Sequence, residues 1–300
     1  MYFTGIGDEA GNTIDSQIKA IQTLGWRHLE ARNVEVLGYP KANLHDIPEP
    51  AFNIVVGKLE EAGIQICCFG SAIANWGKKI NEPFEPSLEE ARRAIPRMQR
   101  LGTKLVRIMS FAVDEGEDQR AVERFRRLRE VTAMFLDAGL QPAHENCMNY
   151  GGMGWKYTLE MLSEVPGLKL VFDTANPIFN ADRSQPKPWP KQNPWEFYTH
   201  VKAHIAHVHV KDAIWNPAKK DADYTLPGEG HGQVHRILSD LLGGGYDAGI
   251  SIEPHVAVVF HDASVKSNDG HMFETFVEYG KRLMGIVDEI KREQSTGRMC

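Results

Sequence analysis

Short apolar runs alternate with amphipathic stretches from one end of the chain to the other. The runs are YFTGIGDE (2–9), HLEAR (28–32), IQICCFGS (64–71), KLVRIMS (104–110), LQPAHEN (140–146), LKLVFDTAN (168–176), IAHVHVKD (205–212) and GISIEPH (249–255). Their length and apolar content predict eight strands. Between them the apolar positions recur at helical spacing, as in TIDSQIKAIQTLG, where Ile14, Ile18, Ile21 and Leu24 share a face. PSLEEARRAIPRMQRLG opens on Ser87 as a helix cap with Glu90 three residues on. Most helical stretches stop at a glycine just before the next strand, at Gly25, Gly63, Gly102 and Gly139. Glycine there suits a left-handed helix end.

Alternating units of this kind predict an α/β fold, a single (β/α)8 TIM barrel over residues 1–291, with 292–300 as a flexible tail. No GxGxxG follows the first strand, which argues against a doubly wound sheet. The long loops follow strand 6 (PIFNADRSQPKPWPKQNPW) and strand 7 (AIWNPAKKDADYTLPGEGHG). Barrel enzymes place their function in such loops.

Composition narrows the class. The chain is 42% hydrophobic and 25% charged, with net charge −6, so nucleic acid is not an expected partner. Cys67, Cys68, Cys147 and Cys300 form no CxxC pair, which fits a reducing compartment. The start MYFTGIGDEAG has no signal-peptide pattern and no apolar run reaches membrane-spanning length. A cytoplasmic protein with no membrane partner is expected.

In a barrel the C-terminal strand ends converge on one mouth. Strands 5 to 8 bring Glu145, Asp173, His209 and Glu253 there. Three carboxylates together repel one another unless a cation joins them. This oxygen-rich set with one imidazole suits one divalent cation, Mn²⁺, Mg²⁺ or Co²⁺, rather than a closed thiolate zinc site.

HEN (144–146), FDTAN (172–176), HVHVKD (207–212), PGEG (227–230) and SIEP (251–254), in this order, resemble the xylose-isomerase-like superfamily of sugar isomerases and epimerases. The resemblance covers nearly the whole chain. It implies that Glu145, Asp173, His209 and Glu253 hold the ion, with Mn²⁺ as first choice. It also implies that Glu145 and Glu253 face opposite sides of a sugar, one removing a proton and the other returning it. Two positions depart from the epimerases. Asn176 stands where they usually carry a histidine, and Trp215 where they usually carry an arginine. Both family residues touch substrate.

The chain is also similar to the catalytic subunits of bacterial C-glycoside deglycosidases. These are lyases with a like metal set that act on 3-keto-glycosides, expel the aglycone by β-elimination and pair with a small second subunit. The expected function is therefore metal-dependent proton abstraction next to a sugar carbonyl, as in an isomerase or epimerase. The alternatives are a 3-keto-glycoside lyase and a sugar-binding barrel without catalysis. The expected partners are a small-molecule sugar or keto-glycoside and further copies of the chain, or a small subunit for a deglycosidase.

Further positions follow from strand geometry. His144 points away from Glu145, toward the helices, if the strand stays regular. Packing is its favoured reading, and catalytic base its reading if the strand bends. Lys211 continues the face of His207 and His209 outward, to meet substrate or act as a base. Arg107, Asn176, Trp76, His255 and Glu30 are expected to touch substrate, with Arg107 alternatively holding Glu30 or Glu145. Trp155, Trp189 and Trp195 are loop aromatics that could join Trp76. The charge run ERFRRLRE (123–130) reads as a solvated helix face.

Overall fold

The computed structural model describes residues 1–116, 118–258 and 267–297; Cys300 lies outside them. The main sheet has strands β1 (Tyr2–Gly5), β2 (His28–Ala31), β3 (Gln65–Gly70), β4 (Leu105–Ile108), β5 (Gln141–Glu145), β6 (Lys169–Asp173), β7 (Ile205–Val210) and β8 (Gly249–Ile252). All hydrogen-bonded neighbours run parallel, from β2 through β3 to β8 and on to β1. The two ends of this ring meet at a parallel bridge between Ile6 and Glu30. The result is the expected (β/α)8 barrel.

Around it lie α1 (Ile14–Thr23), α2 (Glu49–Ala62), α3 (Glu85–Leu101), α4 (Ala121–Asp137), α5 (Trp155–Glu164), α6 (Pro194–Val201), α7 (Val234–Gly243) and α8 (Asp269–Ser295). Gly63 and Gly102 end α2 and α3 with φ of 64° and 69°, where a Cβ would be strained. α3 begins at Glu85, so Ser87 lies inside it and is no cap. α8 runs four residues past the expected tail boundary at 291, to Ser295. Among the described residues, no helix is long and apolar enough to cross a membrane.

Strand alternation sorts the side chains. On β6, Leu170 and Phe172 are fully buried, and Phe172 packs on Phe197 and Tyr198 of α6. On β7, Val208 and Val210 join the same core, while His207, His209 and Lys211 occupy the opposite face. The parallel register is staggered. Glu145 pairs with Val171, Asp173 with His209, and Glu253 donates its backbone N–H to Val210. This shear sets four strand ends around one point.

α4 corrects the reading of its charge run. Arg126 and Glu130 pair in solvent, but Arg124 is fully buried and donates to the carbonyls of Ser110, Ala112 and Gln119. A guanidinium there satisfies loop carbonyls that water cannot reach.

The loop after β7 folds into an antiparallel hairpin, Asp212–Asn216 with Asp221–Thr225, and then wraps around one carboxylate. Asp212 accepts from the backbone N–H groups of Ala213, Gly228, Gly230 and Gly232 at 2.8–3.0 Å. PGEG is thus a cradle whose glycines lie against Asp212. A Cβ on Gly230 would press on Asp212 and come within 2.6 Å of the Ala213 backbone. Gly230→Ala is therefore expected to destabilise the protein by about 1–3 kcal/mol, as overpacking does. The urea unfolding midpoint measures it, and an unchanged midpoint would rule this packing out.

Candidate metal centre at the barrel mouth

One ligand atom from each of Glu145, Asp173, His209 and Glu253 lies within 4.8 Å of the others, and all four residues are buried. Each carboxylate has one oxygen fixed to the scaffold and one turned toward this common point. For Glu145, Oε2 accepts from Arg107 Nη1 at 2.6 Å, while Oε1 lies 3.3 Å from His209 Nδ1 and 3.3 Å from Asn176 Nδ2. For Asp173, Oδ1 accepts from the N–H groups of Ala175 and Asn176. Its Oδ2 has no hydrogen bond among the described residues, although Lys211 Nζ makes an ion contact at 3.2 Å. For Glu253, Oε1 accepts from Arg32 Nη1 at 2.9 Å, and Oε2 lies 2.9 Å from Lys211 Nζ and 3.7 Å from His209 Nδ1.

Glu30 completes the set from below. Its carboxylate accepts from Nε2 of both His207 and His209 at 2.9–3.1 Å. With Nε2 donating to Glu30, Nδ1 of His209 is the atom offered to the centre, the arrangement by which metal-binding imidazoles are oriented. The buried, hydrogen-bond-free Asp173 Oδ2 and the inward Nδ1 fit a divalent cation well. A hard, oxygen-preferring ion with one imidazole ligand matches this donor set.

The electrostatics agree. Burial pushes Glu145 up, but Arg107 and His209 outweigh it and bring its pKa to about 2. Burial likewise opposes ionised Glu253, yet Lys211, His255 and Arg32 hold it well below the usual carboxylate range. Burial depresses His209, and Glu30 and Glu145 more than reverse this, so its pKa lies well above the ordinary value and a cation would displace the Nδ1 proton on binding. Asp173 moves the other way, to about 6, because burial, Glu253 and Glu145 outweigh Lys211. Ionised Asp173 is the costly member of the cluster, and a cation would remove that cost.

A cavity of about 270 Å³ opens above the cluster, lined by residues that include Arg107, Asn176, Trp76, His255, Lys211 and Arg32. Arg107, Asn176, Trp76 and His255 thus stand where substrate contacts were expected. Glu30 does not. It is fully buried beneath His209, is not among the cavity's lining residues, and orients the imidazoles instead. Lys211 lines the cavity, but burial fails to strip its proton because Asp173 and Glu253 hold its pKa well above the ordinary value. Lys211 is thus an ammonium for as long as those two carboxylates are its partners.

His144 packs into the segments that follow β4 and β5. Its Nε2 meets Asn149 Oδ1 at 2.7 Å and Ser110 Oγ at 3.0 Å, and a Cβ on Gly151 would collide with its ring. The catalytic reading of His144 is corrected to packing. Burial, against the opposing pull of Asn149 and Glu145, lowers its pKa from 6.5 to about 4. The unfolded chain then binds the extra proton first, so the linked stability is intact above pH 6.5 and lost as pH falls toward 4. Over that interval the loss is about 3 kcal/mol. Unfolding midpoints of wild type and His144→Gln across pH 4–7 are expected to show a shallower slope in the variant, and parallel slopes would refute the assignment.

Arg32 is the residue that strand-end reasoning missed. It follows β2 by one position and reaches three carboxylates, Asp8 and Glu9 at the turn after β1 and Glu253 after β8, each at 2.9 Å. His255 also meets Glu9 at 2.9 Å. The acidic Asp8-Glu9 pair at a strand end was the available signal, since buried carboxylates need a cation. Of the tryptophans, Trp155 stacks on His200, Trp189 meets Arg183 and Lys187, and Trp195 meets Arg236, so Trp76 alone of the four borders the mouth cavity.

A second cavity of about 340 Å³ shares Trp76, Cys147 and Met148 with the first and adds Val113 and Met153. Asn149, Asn180 and Arg183 line it as well.

The model of the xylose isomerase-like TIM barrel matches residues 18–270. No curated protein matches the chain. Among solved structures, a D-tagatose 3-epimerase-like protein is 16% identical over 98% of this chain and 99% of its own, with a TM-score of 0.70. D-psicose 3-epimerase from Clostridium cellulolyticum H10, solved with D-tagatose, is 14% identical over 97% and 99%, with a TM-score of 0.67. A xylose isomerase-like TIM barrel protein from Mycobacterium smegmatis, solved in complex with magnesium, is 15% identical over 95% and 97%, with a TM-score of 0.66. At these identities the likeness concerns the fold.

Proposed function

Because the chain belongs to the xylose isomerase-like TIM-barrel family, we propose that it is a divalent-metal-dependent isomerase or epimerase that abstracts a proton next to a sugar carbonyl. The observation that carries this reading is the pattern of the three carboxylates, each with one oxygen fixed and one turned to the point faced by His209 Nδ1. Glu145, Asp173, His209 and Glu253 would hold the cation, with Mn²⁺, Mg²⁺ or Co²⁺ all compatible. When bound, it supplies a Lewis acid that polarises the carbonyl and steadies the negative charge left by proton removal.

The chain's own groups do the rest. Glu145 and Glu253 come from different sides of the cluster, and both are ionised and therefore able to accept a proton. One takes the proton from the carbon beside the carbonyl, and the other, after picking up a proton from solvent in the mouth cavity, delivers it to the opposite face. Arg107 and Arg32 hold these carboxylates in position, so little reorganisation accompanies the transfer. Asn176 and His255 border the cavity as hydrogen-bonding groups for sugar hydroxyls.

The second cavity, which adjoins the first at Trp76, Cys147 and Met148, offers room for an aglycone and favours a further reading, a lyase that removes the same proton from a 3-keto-glycoside and expels the aglycone. The two chemistries share their first step and differ in what leaves.

Proton NMR in D₂O with Mn²⁺-loaded protein separates them. Deuterium entering the sugar carbon while a new isomer forms supports the isomerase or epimerase reading. Aglycone release from a keto-glycoside supports the lyase. If free ketoses and keto-glycosides both leave the spectra unchanged, proton abstraction is the wrong function and a binding barrel takes its place.

A further inference from the structure

Lys211 sits one residue beyond β7, on the face that carries His207 and His209, and its side chain is 4% exposed. Its ammonium lies 2.9 Å from Glu253 Oε2 and 3.2 Å from Asp173 Oδ2. Those are the two oxygens that Asp173 and Glu253 turn toward the centre; their other oxygens are held by the Ala175 and Asn176 amides and by Arg32. The lysine therefore contacts the same atoms that a divalent cation would.

We propose that Lys211 is the built-in counter-ion of this site, neutralising Asp173 and Glu253 when no divalent cation is bound and competing with that cation for their inward oxygens. The inference rests on the metal reading above and adds to it a direction, that removing this cation strengthens metal binding.

Three observations support it. The inward oxygens of Glu145, Asp173 and Glu253 face one another in a buried space; His209 Nδ1 lies 3.3 and 3.7 Å from those of Glu145 and Glu253, and of the two groups only Lys211 makes an ion contact with that of Asp173. Arg107 and Arg32 grip the outer oxygens of the two glutamates, so neither lies between the inward ones. The contact from Lys211 to Asp173 is an ion contact without a directed hydrogen bond, which a better-placed cation can replace.

There is also somewhere for the displaced group to go. Lys211 lines the mouth cavity, and its ammonium lies 6.0 Å from the ring of Phe179, which lines the same cavity. A flexible four-carbon stem can swing toward that ring face, where a cation is favoured. A like charge held beside the metal would instead oppose its binding. Metal loading thus moves Lys211 from the floor of the site to its wall, where it can donate to an oxygen of the bound molecule.

The test measures Mn²⁺ affinity by competition with a fluorescent chelator for wild type, Lys211→Met and Lys211→Arg. Lys211→Met is expected to bind Mn²⁺ about tenfold or more tightly than wild type, while Lys211→Arg, which keeps the charge, stays near wild type. A second measurement needs no variant. Acetylation of Lys211, followed by mass spectrometry of wild-type protein, is expected to rise on adding Mn²⁺. If Lys211→Met binds Mn²⁺ equally or more weakly, or if Mn²⁺ protects Lys211 from acetylation, the counter-ion role is wrong while the metal site stands. If neither wild type nor variants bind Mn²⁺, Mg²⁺ or Co²⁺, the metal reading falls and this inference with it.

Discussion

Glu253→Gln is expected to slow deuterium exchange at the sugar carbon by about 10³-fold, within the range that general base catalysis contributes. Glutamine fills nearly the same volume, so the barrel should remain folded. What changes is charge. The amide cannot take a proton, offers the centre a weaker ligand, and leaves Lys211 with Asp173 as its remaining ion contact. Arg32 loses one of its three carboxylates and keeps Asp8 and Glu9. Metal occupancy must be measured beside activity, because a lost ligand and a lost base both lower the rate. Exchange restored at saturating Mn²⁺ would assign Glu253 to metal binding alone. Exchange that stays low with the metal site filled would assign it to proton transfer. An unaltered rate at ordinary Mn²⁺ would remove Glu253 from the mechanism altogether.

Arg32→Met is expected to be the most damaging single change to stability, at about 3–5 kcal/mol in metal-free protein, the usual consequence of breaking a buried ion pair from one side. Methionine replaces much of the side-chain volume but leaves Asp8, Glu9 and Glu253 buried with one cation fewer. The pH dependence gives the sign. Arg32 lowers the pKa of Asp8, Glu9 and Glu253, so its removal raises all three relative to wild type and the folded variant takes up more protons as pH falls. Its deficit relative to wild type should therefore shrink as pH falls through the carboxylate range. Unfolding midpoints at pH 7 and pH 5 measure this, and a deficit that widens on acidification would contradict the electrostatic cause. Adding Glu9→Gln to the variant should recover part of the loss, since the two sites are in direct contact.

These two residues show what could and could not be read from the chain. Glu253 was visible because a barrel strand announces itself by its apolar run and its C-terminal end follows from the direction of the chain. The same logic found Glu145, Asp173 and His209. Arg32 closes the run HLEAR and so stood at a strand end, but what marks it is its partners, 24, 23 and 221 residues away. No local pattern carries such a contact. Lys211 was placed on the right face, but its chemistry depended on neighbours from β6 and β8 that hold its proton in place. Arg124 is a different case. It falls at helical spacing with Leu128, Val131 and Phe135, all buried, so periodicity placed it on the inner face while the charge run suggested water. The structure resolves this in favour of periodicity, since loop carbonyls were waiting for a donor.

Glu30 carries a consequence beyond the orientation of His209. Its backbone forms the bridge to Ile6 at which the ring of strands meets itself, and its side chain anchors the imidazole offered to the centre. The barrel's seam and its ligand field thus share one residue. Anything that parts β1 from β2, even briefly, also loosens His209, and anything that tightens its hold on His209 keeps the seam shut. A bound cation would then act as a clasp, coupling breathing of the wall to the lifetime of the ion inside it.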